Sequence, residues 1–228
     1  MRLFYLFNLL SIGIAENIMI SSSLTLPFIF FSILSFQFLM PSTHARIGET
    51  RSTLEKRLVN SGGVQYREAS ILENRMKEMP HNKYKEYYPK STDLRIDYKT
   101  SDGRQPKASK MQVRGMLEGW DLHVIYLDGV SVMEIYRRSK TITEFEFIYL
   151  LNFQAGGSYW KKAADMEPLE DDEESAFGFE FIRDDKKVRA KKLGGNGFMV
   201  FTSELDRGFA EALKADLKSM APKSVDGF

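Results

Sequence analysis

The chain has 228 residues, 43% hydrophobic, 13% aromatic and 28% charged, with a net charge of +1 and no cysteine. That is enough apolar material for one large core or two small ones. The missing cysteine excludes disulfides, thiolate metal ligands, a thiol nucleophile and a lipidated-cysteine anchor. A near-zero net charge supplies no global field that would favour nucleic acid or an acidic membrane.

Residues 1–45 carry only two formal charges, Arg2 and Glu16. Within them Leu24 to Met40 is an almost unbroken apolar run, followed by Pro41-Ser42-Thr43-His44-Ala45 and then the polar Arg46. An apolar run, a helix-breaking proline and a small residue at the junction form the pattern a signal peptidase reads. Cleavage is expected between Ala45 and Arg46. The alternative is an uncleaved signal anchor, since the 17-residue run Leu24–Met40 sits at the lower limit for spanning a bilayer. The leader is long and its basic end is Arg2 alone, so Met1 and Met19 both stand as possible starts.

In the remainder, Leu54 and Leu58 give helical spacing up to Gly62-Gly63, and Ile71, Leu72, Met76 and Met79 repeat it up to Pro80. The segment from His81 to Thr92 is polar, basic and aromatic, and reads as a loop. Leu94 to Tyr98 alternates as a strand. Met111 to Leu117, Trp120 to Leu127 and Val130 to Arg138 read as three antiparallel strands, the last two joined by Asp128-Gly129, a strong hairpin signal.

Thr143 and Glu146 fit a capping box that opens a helix, Ile142 and Phe147 are spaced as a hydrophobic staple, and Gly156-Gly157 ends the helix. Residues 165–174 hold seven acids and no base, a solvated linker. Ala176 to Arg183 reads as a strand with Phe177, Phe179 and Phe181 on one face. Val188 to Leu193 and Phe198 to Thr202 follow as strands, and Ser203 is placed to cap a last helix over 204–220 whose stripe is Phe209, Leu213, Leu217 and Met220.

The expected fold is therefore α+β: a tandem of helix plus three-stranded antiparallel meander, helices packed on the sheet, behind the hydrophobic leader. The units would be 1–45 leader, 46–140 first unit, 141–221 second unit and 222–228 a tail.

The stretch Ala45-Arg46-Ile47-Gly48-Glu49-Thr50 with Leu54 and Arg57, the Asp-Gly hairpin ending in basic residues over Trp120 to Arg138, and the start Thr141 to Glu146 leading to Trp160 resemble a group of uncharacterised bacterial exported proteins. This chain departs from them at Ser61-Gly62-Gly63, where a G-x-P is expected. More distantly, the helix-plus-meander tandem is similar to β-lactamase-inhibitory proteins and to small outer-membrane assembly lipoproteins. That resemblance implies binding of another protein on the sheet and carries over no residue.

Candidate chemistry is sparse. Asp121 and His123 share a strand face and could orient an imidazole as a general base, the basis of a hydrolase alternative; the plain reading is a polar sheet surface. Asp171, Asp172, Glu173 and Glu174 could offer carboxylates to calcium, but the run lacks the D-x-D-x-D-G order and reads better as a linker. Lys83, Lys85 and Lys90 interleaved with Tyr84, Tyr87 and Tyr88 form a candidate binding loop; the competing reading has those tyrosines packed back on the body. The leading expectation is a non-enzymatic extracytoplasmic protein, periplasmic or secreted, with no cofactor or metal. It would bind another protein or an envelope polymer through its sheet surface or this loop, with no nucleic-acid partner and membrane contact only through an uncleaved leader. A membrane-tethered structural envelope component is a further alternative.

Overall fold

The computed structural model describes residues 47–112, 115–166 and 174–220. The inferred cleavage site, Ala45 and Arg46, lies outside them, as does the 222–228 tail.

The first helix, α1 (Arg51–Asn60), starts where the Thr50 hydroxyl accepts from the Thr53 N–H. Then come β1 (Val64–Gln65), α2 (Ala69–Met76), a 3-10 segment (Pro80–Tyr87) and β2 (Asp93–Thr100). The hairpin read around Asp128-Gly129 is present as β3 (Gly119–Leu127) and β4 (Val130–Arg138), paired from Trp120↔Arg138 to Leu127↔Val130 with a register shift between Ile125 and Tyr126. Helix α3 (Glu144–Ala155) has both halves of the expected capping box and ends at Gly156, in the left-handed region at φ 60°. Then follow β5 (Trp160–Lys162), β6 (Phe181–Arg183), β7 (Val188–Leu193), β8 (Gly197–Thr202) and α4 (Ser203–Met220).

These strands form one antiparallel sheet of eight in the order β1-β2-β3-β4-β8-β7-β6-β5. Each half runs from an outer edge to the middle, and β4 meets β8 from Met133↔Phe201 to Arg137↔Gly197. The 140/141 boundary read from sequence thus falls between two elements that serve a single sheet.

Strand alternation sends Leu122, Val124 and Tyr126 of β3, with Val200 of β8, to one face, where Leu54 and Leu58 of α1 and Phe147 of α3 cover them. Ile125, Met133, Ile135, Met199 and Phe201 go to the other, under Tyr84 of the 3-10 segment and Leu205 and Phe209 of α4. Ile71 of α2 closes the β1–β2 corner against Tyr66, Ile96 and Tyr98. The middle of the sheet is therefore covered on both sides, and among the described residues it offers no bare face for a partner.

Several sequence expectations are corrected. The described residues of Met111 to Leu117 are not in a strand, and Ala108–Gln112 form a 3-10 turn. Among the described residues four strands lie on each side of the β4–β8 join, where three were expected. Phe177, Phe179 and Phe181 do not share a face. Gly178 adopts φ +70° and breaks the extended run, so Phe177 and Phe179 pack on the α4 side and Phe181 on the α3 side. The last helix is capped one residue early, by the Thr202 hydroxyl accepting from the Leu205 N–H at 3.3 Å, while the Ser203 hydroxyl donates to the Lys186 carbonyl at 2.6 Å. Its stripe is buried only at the start: Leu217 and Met220 are 63% and 77% exposed.

Candidate ligand-binding cleft

Helices α1 and α3 lie on the same face of the sheet, and between them opens a cleft of about 580 Å3. Its floor comes from β2, β3 and β4 through Asp97, Lys99, Trp120, Leu122 and Tyr136. Its walls come from Arg57, Leu58 and Ser61 of α1 and from Phe145, Glu146, Tyr149 and Leu150 of α3. A volume of that order suits a small organic group or a few side chains, and a mostly apolar wall with few polar groups is the usual composition of a ligand site. Two aromatic residues of α3 beside the cleft are unusually open to water: Phe145 is 88% and Tyr149 67% exposed.

Four charged residues line this space, Lys99 among them. Arg57 pairs with Glu49 through Nη1, while its Nε and Nη2 have no hydrogen-bond partner. Glu146 pairs with Arg138 and accepts from the Thr143 N–H at 2.9 Å, so it serves the start of α3. Asp97 differs from both. It is buried, its Oδ2 accepts no hydrogen bond, and burial, reinforced by the like charge of Glu55, pushes its carboxyl up to about 6 against the opposing pull of Arg95.

Asp121 and His123, the pair read as a possible acid–base unit, lie on the opposite face beneath α2 and the 3-10 segment. Both are 1% exposed. Asp121 accepts from the Tyr66 hydroxyl at 3.1 Å through Oδ1 and pairs with Arg75 at 3.3 Å through Oδ2. Burial raises its carboxyl, and Arg75 counters this. His123 lies 5.7 Å, ring to ring, from His81, which is also buried. Burial holds His81 down to about 4 and His123 well below the ordinary imidazole range. No imidazole nitrogen of the two has a hydrogen-bond partner. The expected solvent-facing Asp–His surface is instead a closed polar pocket whose carboxylate is already engaged.

The tyrosine–lysine segment divides by residue type. Tyr84 is buried, donates to the Ala176 carbonyl at 2.6 Å and stacks on Phe209 at 5.3 Å. Tyr87 donates to Asp216 at 2.6 Å, and Tyr88 meets Phe209 edge-on at 4.8 Å. These rings therefore clasp α4. Lys83, Lys85 and Lys90 are exposed, and the Lys83 amine lies 5.2 Å from the centre of the Tyr84 ring. Of the acidic run, Glu174 pairs with Lys214 at 2.6 Å; Asp171, Asp172 and Glu173 lie outside the described residues. Among the described residues no group of three or more histidine or acidic side chains is placed to hold a metal ion, and no helix is long and apolar enough to cross a membrane.

Sequence reasoning missed the cleft because its residues are scattered from Arg57 to Leu150. Asp97 gave no local signal, because it falls with Arg95 and Lys99 on the polar side of the β2 alternation. The architecture defines an α+β protein with an eight-stranded antiparallel open sheet. No protein-family model, curated protein or solved structure matches this chain significantly.

Proposed function

We propose that this chain is a non-enzymatic extracytoplasmic binding module, exported by a leader that ends at Ala45, and that it takes an apolar group of a partner macromolecule into the cleft between α1 and α3. The observation that carries this reading is the cleft itself: an aromatic space of about 580 Å3 beside two rings, Phe145 and Tyr149, left open to water. Exposed aromatics next to a concave apolar surface are typical of interface anchors.

The two runs of four strands, joined at β4 and β8, support a tandem helix-plus-meander reading and with it the distant likeness to protein-binding folds of that kind. The covered sheet moves the expected contact from the sheet surface to the space between the helices. The hydrolase alternative draws no support from Asp121 and His123, which are closed off from solvent.

The reading is tested with a neutral naphthylamine dye whose emission rises in apolar surroundings. The protein should bind it saturably. Trp120→Ala and Tyr149→Ala should each weaken binding about ten-fold or more, because each removes a ring from the cleft wall. Saturable binding unchanged by both substitutions, or no binding at all, would sink the proposal.

A further inference from the structure

We infer that Asp97 reads a positive charge on the bound partner, so that the cleft takes a polypeptide segment in which a lysine-type ammonium group stands beside an apolar anchor. This rests on the cleft being the binding site.

Strand β2 places Asp97 opposite Leu122, on the face that α1 and α3 cover. The side chain is 94% buried (6% exposed), and its Oδ2 accepts no hydrogen bond. A desolvated carboxylate in that state is costly, and a cation arriving from outside would relieve the cost. Two of the protein's own cations nearby are paired elsewhere, Arg57 only in part. Arg95, on the same strand, has its Nε on Asp93 at 3.0 Å, and Arg57 of α1 is paired with Glu49.

The remaining titratable groups around it add little positive field. Glu55 of α1 repels it, Glu146 of α3 is held by Arg138, and β3 and β4 contribute Trp120, Leu122 and Tyr136 to the cleft. Lys99 stands two residues along β2 and has no role in the shift of Asp97. The result is a buried carboxylate whose Oδ2 accepts no hydrogen bond, set among aromatic rings, which are themselves favourable neighbours for an ammonium group. An anionic or purely neutral segment would leave that carboxylate unpaired, and a cationic one would not.

The test uses the full chain and two acetylated, amidated tetrapeptides, Phe-Leu-Gly-Lys and its norleucine analogue, as competitors of the naphthylamine dye. At pH 7.5 the lysine peptide should displace the dye at least about ten-fold more effectively. The advantage should fade as pH falls through about 6, where Asp97 takes up its proton, and should be absent in Asp97→Asn at every pH. The pH series on the unaltered protein keeps the test valid if that variant fails to fold. Equal competition by both peptides at pH 7.5 would overturn the charge-reading role while leaving the cleft in place. Dye binding that neither peptide disturbs would overturn a polypeptide partner. Failure of the dye itself to bind would reject the cleft, and this inference with it.

Discussion

A neutral imidazole can be buried at modest cost, whereas a protonated one without an anion beside it cannot. His81 and His123 are such a pair. Around them stand Asp121 on β3, engaged by Tyr66 and Arg75, and the cations Arg75 of α2 and Arg137 of β4, both of which disfavour a charge on His123. In the unfolded chain a histidine takes up its proton near pH 6.5, but folded His81 does so only near 4. Between those values the unfolded state holds more protons, so acidification through this window lowers stability, and above it nothing is lost. Asp97 works in the opposite sense, because its folded carboxyl, at about 6, is protonated before the unfolded one. The histidine contribution is therefore isolated by difference. Between pH 7 and 4 the stability of the wild type relative to His81→Leu should fall by about 3 kcal/mol, measured by urea unfolding at each pH. Parallel pH curves for the two proteins would contradict this. The residue pattern at Asp121 and His123 was visible in the sequence, but its meaning was not. The groups that engage Asp121 arrive from Tyr66 and Arg75, some fifty residues earlier, and no local spacing announces them.

Elements fixed by short-range chemistry were legible. The capping box at Thr143 and Glu146, and the Asp128-Gly129 turn between β3 and β4, each need only neighbouring residues, and each stands where the sequence placed it. Elements decided by tertiary competition were not. Met111 to Leu117 has a strand-like pattern, yet its first two residues close a 3-10 turn, and the two-residue β1 is too short to signal itself. The segment Pro80–Tyr87 looks polar because its lysines lie outside, yet it is held by aromatic stacking on α4. Phe209 is the hub of that contact, touching Tyr84, Tyr88 and Phe177. Phe209→Ala should cost about 3–5 kcal/mol and should open residues 80–90 to limited proteolysis before the rest of the chain. Unchanged protease resistance there, in a variant of reduced overall stability, would show that the segment is held by other contacts.

In the whole molecule, the strand order puts β4 and β8, far apart in the chain, at the centre of the sheet. Their residues include Met133, Ile135, Met199 and Phe201, each at most 1% exposed. Amide hydrogen exchange should therefore be slowest in β3, β4 and β8 and open only with global unfolding, while β1 and β5 exchange first. Rapid exchange at the β4–β8 join would mean that the two halves come apart independently. The edges of this sheet carry a different consequence. The outermost strands are β1, two residues long, and β5, three residues long and bearing Lys161 and Lys162. So short a border, charged on one side, is a poor template for a foreign strand. Among the described residues these two edge strands thereby offer little purchase for fibril growth or for a strand lent by another chain.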